Sequence, residues 1–247
     1  MTRIKKIYLK ETDSTNRYLN EYKGEEGELM TIAISDYQTA GRGQGGNSWE
    51  SEAGKNLTFS IKVRPKNVPV ALQYIMLEAE SLAIKDALSH YTDGITIKWP
   101  NDVYYRDMKI SGTLSECAIS GDTIKSCILG TGIDVNQQQF MSDAPNPISI
   151  YQIIGHDVDR NELMDRMLNS FETYLDMVNS GRHDEISNLY MASLYRREGQ
   201  FCYKDKDGIF EATISAVEPN GHLVLKRTDG TISRYAFKEV IFLINKK

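Results

Sequence analysis

The chain has 247 residues, of which 40% are hydrophobic, and carries a formal net charge of −5 with a sequence pI near 5.5. That length and apolar content suffice for one large domain, or for a large and a small one. Lysines and arginines are scattered rather than gathered in a stripe, which argues against a main role on nucleic acid, and no apolar run approaches membrane-spanning length.

Residues 1–6 lead straight into a strand-like segment without an apolar stretch, so they do not read as a secretory signal. Residues 4–9 are expected as a strand. Asp13, Ser14 and Thr15 are each able to cap a helix that runs to about residue 22. Residues 29–35, rich in β-formers, form a strand that delivers a glycine-rich loop. Leu57, Phe59, Ile61 and Val63 alternate with polar residues, which predicts a half-buried strand. Leu72, Ile75, Ala79, Leu82 and Ala83 predict one amphipathic scaffold helix over residues 70–90. Residues 95–99 alternate as a strand that Pro100-Asn101-Asp102 stops. Residues 103–105 and 109–110 pair across an Arg106-Asp107 turn, and residues 113–119 and 123–129 pair across Gly121-Asp122.

Residues 137–148 read as a loop. Asp159 with Glu162 resembles a capping box opening a helix to about residue 178, and a second helix covers residues 184–195. After Arg196 the character changes to short strands at 201–203, 209–216, 222–226 and 231–237, joined by Asp-Gly and Asn-Gly turns. This predicts a small antiparallel barrel and two domains, 1–196 and 197–247. The three cysteines, Cys117, Cys127 and Cys202, fit no zinc spacing and are expected as small thiols in a reducing cytoplasm. The four histidines lie far apart in sequence, and no metal is assigned to them.

Three stretches carry unusual polar residues. The first is Asp13-Ser14-Thr15-Asn16, hydroxyls and an amide at a helix N-terminus, where polar ligands bind readily. The second runs from Gln38 to Trp49, with four glycines in six residues at positions 41–46 and Arg42 among them. Glycines let backbone N–H groups approach an anion, and a guanidinium makes charge-assisted bonds to phosphate or carboxylate. This is not a dinucleotide-binding fingerprint, because the polar residues after Gly46 predict no helix. It is not a P-loop either, because Gly54-Lys55 is followed by Asn56 instead of serine or threonine. The third stretch is Lys98 to Asp102, extended to Lys109. Two lysines and an arginine beside carboxamides suit a reaction between anions, such as a carboxylate approaching the α-phosphate of a nucleotide. Asp102 is placed to orient a lysine or to help hold a magnesium ion.

Taken together, Asp13-Ser14-Thr15-Asn16, Gln38…Gly41-Arg42-Gly43…Gly46…Trp49, Lys98-Trp99-Pro100-Asn101-Asp102 and Lys109-Ile110-Ser111-Gly112 resemble the biotin–protein ligases over nearly the whole chain. The resemblance implies an α+β fold: a central mixed sheet flanked by helices, like class II aminoacyl-tRNA synthetases, with a small C-terminal SH3-like β-barrel. It implies that biotin and MgATP form biotinyl-5′-AMP, whose acyl group passes to a lysine of a biotin carboxyl carrier domain. It also implies the ligase-only form, without an N-terminal DNA-binding domain, acting in the cytoplasm with no nucleic-acid or membrane partner; homodimerisation stays open.

By this likeness Ser14, Thr15 and Gln38 hold the ureido ring of biotin. Asn16, Gln44 and Gly112 complete its site, and Arg42 and Gly43 wrap the valeryl chain and adenylate. Lys109 bridges the carboxylate and the phosphate. Lys98 stabilises the phosphates, while Trp49, Asn56, Asn101, Asp102 and Asp134 face the nucleotide. Lys98, Lys109 and Arg42 are the catalytic cations, and no residue is singled out as a metal ligand. Two positions depart from the family pattern: Gln44 stands where arginine is common, and Asp134 where asparagine is common. A lipoate or octanoate ligase of the same fold is the nearest alternative, although its Arg-Arg-x-Ser-Gly-Gly-Gly run is absent here. A non-catalytic biotin sensor is the alternative from another class.

Overall fold

The computed structural model describes residues 4–24, 28–142 and 145–244. The reading of residues 1–3 as the start of a non-secretory N-terminus lies outside the described residues, as does part of the 137–148 loop. Seven strands form one mixed sheet: β1 (Ile4–Leu9), β2 (Met30–Ser35), β3 (Leu57–Val63), β4 (Ile95–Lys98), β5 (Asp102–Tyr105), β6 (Met108–Ser120) and β7 (Thr123–Ile133). Their spatial order is β1-β2-β3-β7-β6-β5-β4, with β1 and β2 parallel and every other pair antiparallel. Helix α1 (Thr15–Glu21) packs on β2, β3 and β7. On the opposite side lies α2 (Ile75–Ser89), covered in turn by α4 (Arg160–Asn179) and α5 (His183–Ala192); a short α3 (Ile150–Ile154) precedes them. Strands β8 (Phe201–Asp205), β9 (Gly208–Val217), β10 (Leu223–Arg227), β11 (Ile232–Tyr235) and β12 (Ile241–Phe242) form a second, antiparallel sheet ordered β11-β10-β9-β8-β12. This arrangement is consistent with a small SH3-like unit.

Several expectations are corrected by packing. Strand β3 is buried on both faces, because α1 covers its polar face. Thr58 and Ser60 are therefore buried hydrogen-bonding residues: Thr58 donates to the Ser35 carbonyl at 2.7 Å, and Ser60 donates to Asn16 Oδ1 at 2.6 Å with Thr15 Oγ1 2.7 Å away. The single helix expected over residues 70–90 is a 3₁₀ turn followed by α2. Val70 donates its N–H to the Asp122 carbonyl, and Ile124 donates to Val68, so this segment is tied to the β6–β7 turn and starts its helix later. Helix α2 is buried nearly all round instead of along one stripe, because it lies between the sheet and α4 and α5. Even Glu78 and Glu80 are enclosed, at 2% and 0% exposure.

The thiol expectation is also corrected. The β6–β7 register sets Cys117 directly opposite Cys127, Cα atoms 4.2 Å apart, and the pair forms a disulfide; Cys202 is free and exposed. Helix α3, absent from the expectation, carries a full capping box: Gln152 N–H donates to Ser149 Oγ at 3.2 Å, and Ser149 N–H to Gln152 Oε1 at 3.1 Å.

Candidate active site

The cleft lies on the α1 face of the large sheet and opens to solvent. The pleat brings Gly130 and Gly132 of β7 to this face. A Cβ at Gly130 would collide with the Asn16 amide, and one at Gly132 with the Trp49 indole, so these glycines let α1 and the tryptophan lie directly on the strand. Ser14, Thr15, Asn16 and Gln38 line one end of the cleft. Arg42, Gly43, Gln44, Trp49, Asn101, Lys109 and Gly112 are also part of the lining, with Lys109 Nζ 5.5 Å from the Trp49 ring centroid.

At the first end, Gln38 Oε1 accepts from the Thr15 N–H at 2.8 Å and the Thr15 hydroxyl at 3.1 Å. Helix α1 is thus capped by a residue from the next loop. Ser14, at the N-cap position, makes no side-chain capping bond, and Asp13 accepts from the Ser14 N–H at 2.6 Å. This frees Ser14 from the local role that its sequence position offered. Asn16 reaches in two directions, accepting from Ser60 and donating to Glu116 Oε2 at 2.9 Å. Glu116 also meets Arg42 at 3.4 Å, so it links the helix to the glycine loop. Glu116 and Ser60 were not singled out in the sequence. Ser60 carried a signal, as a polar residue in a β-period pattern, whereas Glu116 resembles any solvated strand residue.

The glycine loop is a closed hairpin-like turn. The Gly43 N–H donates to the Asn47 carbonyl at 2.7 Å, and the Trp49 N–H to the Gly41 carbonyl at 3.0 Å. The Gly43 amide is therefore engaged within the loop instead of facing an anion. Gly45 and Gly46 adopt left-handed φ values of 68° and 90°. Two buried polar atoms on this side, Gln44 Oε1 and Trp49 Nε1, have no partner among the described residues. Such atoms are costly unless a ligand or water satisfies them.

Next to the cleft, Asp102 stands between Lys98 and Lys109. Its Oδ1 is 2.6 Å from Lys109 Nζ, and its Oδ2 is 3.9 Å from Lys98 Nζ. Gly112 makes this possible, because a Cβ there would lie 2.9 Å from Lys109 Nζ and 3.2 Å from Asp102 Oδ1. The backbone of Asn101 pairs with Thr113, and its amide donates to the Thr113 carbonyl at 2.6 Å. The Trp99–Pro100 peptide is cis, and the Pro100 carbonyl accepts from Tyr74 and Tyr190 hydroxyls at 2.7 and 3.3 Å. Lys98 is largely buried. Desolvation lowers its pKa, helped by Lys109 and Arg196 and opposed by Asp102.

Lys98, Asp102, Asn56 and Asp134 are not part of the cleft lining. The first two adjoin Lys109 through the Asp102 carboxylate. Both ends of the Asn56 amide are taken up within the chain: Oδ1 accepts from Val135 N–H at 2.9 Å, and Nδ2 donates to Gln137 at 2.6 Å. Asn56 thus holds the segment after β7. Asp134 is buried, with Oδ1 unpartnered among the described residues. Burial pushes its carboxyl well above the usual range, Glu50 adds to the shift, and Lys109 opposes it. In its protonated form Asp134 offers one donor and one acceptor, as asparagine does.

The fold and this cleft define a class. The model of the Biotin/lipoate A/B protein ligase family matches residues 8–134, and the chain belongs to that family. Among curated relatives it is 28% identical over 234 residues to the biotin–[acetyl-CoA-carboxylase] ligase of Paracoccus denitrificans, covering 90% of this chain and 94% of the relative. It is 29% identical over 240 residues to the bifunctional ligase/repressor BirA of Bacillus subtilis, covering 93% of this chain and 72% of the relative. The structure of the biotin protein ligase from Aquifex aeolicus in complex with biotin and ATP superimposes with a TM-score of 0.78 at 26% identity, covering 98% of this chain and 99% of that one.

Proposed function

We propose that this chain is an ATP-dependent biotin–protein ligase. The observation that carries the reading is one cleft on a ligase-family sheet, with a neutral hydrogen-bonding end at Ser14, Thr15 and Gln38 and a cationic wall at Lys109. Biotin matches that asymmetry, since its ureido ring is neutral and its valeryl chain ends in a carboxylate. In the first step the carboxylate oxygen attacks the α-phosphorus of ATP and pyrophosphate leaves. Lys109 and Lys98 lower the repulsion between the two anions and stabilise the charge that builds on the phosphoryl oxygens. Asp102 holds Lys109 in place, and Glu116 holds Arg42 over the chain and adenylate. In the second step the ε-amine of a carrier-domain lysine attacks the acyl carbon and AMP leaves. Asn101 and Trp49 belong with the nucleotide, and Gly43, Gln44 and Gly112 with biotin.

Magnesium enters this proposal as part of MgATP. No set of three acidic, cysteine or histidine ligands converges among the described residues. Phosphate oxygens and water would supply most of its coordination, as is usual for this ion. The same reading includes a cytoplasmic location, where ATP is available, and a division of the chain near Arg197 into a ligase domain and a carboxy-terminal barrel.

The test is exchange of labelled pyrophosphate into ATP. Exchange that requires both biotin and magnesium, with lipoate and octanoate inert, is the expected outcome. Equal exchange with lipoate or octanoate would move the assignment to the sister activity. Tight biotin binding without any exchange would make the protein a sensor.

A further inference from the structure

Lys98 has surroundings that the ligase reading does not use. Its ammonium lies 5.3 Å from the ring centroid of Tyr104 and 5.0 Å from that of Phe242. Tyr104 belongs to β5 of the large sheet, whereas Phe242 belongs to β12 of the second sheet. The cation therefore sits between one aromatic ring from each unit. Its carboxylate neighbour, Asp102, is 3.9 Å away and already bonded to Lys109. A ring face attracts a cation without neutralising it, most strongly where water is excluded. A lysine held this way stays available for a phosphate oxygen, while one held by a carboxylate arrives already paired.

The second sheet is anchored at this place. Trp99, next to Lys98, donates its indole N–H to the Gly221 carbonyl at 2.9 Å, and Arg196 donates to the Leu243 carbonyl at 3.1 Å. Phe242 is itself fixed: its ring meets Tyr203 edge-on at 4.9 Å, and its strand pairs with β8. These contacts tie the ring and its strand to the second sheet.

We infer that Phe242 is a positioning residue for adenylate formation: the C-terminal sheet aims the Lys98 ammonium through the face of this ring. The inference rests on the proposed role of Lys98 at the nucleotide phosphates. It implies that the second sheet takes part in the first chemical step.

The test replaces Phe242 in the full chain with mono-, di- and trifluorinated phenylalanine. Fluorine withdraws π-electron density from the ring face at nearly constant shape. The expected result is a stepwise fall in kcat of biotin-dependent pyrophosphate exchange, reaching about 2- to 30-fold. Biotin affinity measured by calorimetry without ATP, and the melting temperature, should not move. Phe242→Tyr should keep most of the activity, and Phe242→Leu should lose at least as much as the trifluorinated form. Constant kcat across the fluorinated series, with Phe242→Leu impaired, would show that the ring only fills space and would overturn the inference. Absence of biotin-dependent exchange in the unmodified protein would instead overturn the reading on which it rests.

Discussion

Asp102 meets two ammonium groups with its two oxygens, and this sharing sets what each lysine can do. Lys109 is held firmly and lines the cleft; Lys98 is held loosely by charge and more by rings. Removing the firm one should cost about 1.5–3 kcal/mol, the value of a charged hydrogen bond, or on the order of 10–150-fold in adenylation. Lys109→Ala should therefore fold normally and exchange pyrophosphate slowly; near-normal exchange would misplace this lysine. Asp134 gives a second test at this scale. Its pKa is raised by burial, so it is neutral below that pKa and becomes an anion coupled to Lys109 as pH rises through it. Activity should fall on the alkaline side for this reason, and Asp134→Asn should keep activity at neutral pH while removing that limb. A pH–rate profile of both forms decides, and identical alkaline limbs would refute the assignment.

At the scale of elements, the glycine loop and α1 depend on each other. Gln38, before the loop, caps α1, and Lys238 of the second sheet's final turn donates to the Gly45 carbonyl at 2.9 Å. The loop carries few apolar atoms that could dock it. Backbone bonds across the loop and the Lys238 contact hold it instead. Arg42, in the paired stem of this turn opposite Ser48, is a natural protease probe, because cleavage needs local opening. Trypsin should cut after Arg42 in the free protein, and biotin with MgATP should suppress the cut. Lys238→Ala should speed the cut in the free protein about fivefold, the effect of one ordinary hydrogen bond of about 1 kcal/mol. Equal rates with and without ligands would mean the loop does not close over them, and an unchanged rate in the variant would show that Lys238 does not restrain it.

For the whole molecule, the enclosed α2 sets the response of stability to pH. Burial raises the Glu78 carboxyl to about 7, against a lowering bond from Ser187, and the Glu80 carboxyl to about 8, against bonds from Thr131 and Thr113. Both acids keep their protons in the folded chain at a pH where the unfolded chain has lost them. Their contribution is fully present below the unfolded value of 4.5 and is lost as pH rises through 7 to 8. The protein should be most resistant to urea under mildly acidic conditions and weaken steadily towards pH 9. Glu80→Gln should flatten part of that slope and raise stability on the alkaline side. Urea midpoints from about pH 5 to about pH 9 measure both; a slope unaffected by the substitution would exclude Glu80 as its origin.

The strands, the amphipathic α4 and the polar runs at Ser14, Gln38 and Lys98–Asp102 were legible because period, turn chemistry and motif spacing are local properties of the chain. The N-cap choice at α1 was not, since Gln38 competes for it from a different segment. Nor was the burial of Glu80, because its helix turned out to have neighbours on every side. The Cys117–Cys127 bond required the β6–β7 register, and the two rings around Lys98 required two separate sheets to meet. The sequence by itself determined most of the strands and helices and the polar runs from which the cleft is built. The tertiary structure decided which side chains share a partner, a proton or an apolar shell, because those depend on distances between segments far apart in the chain.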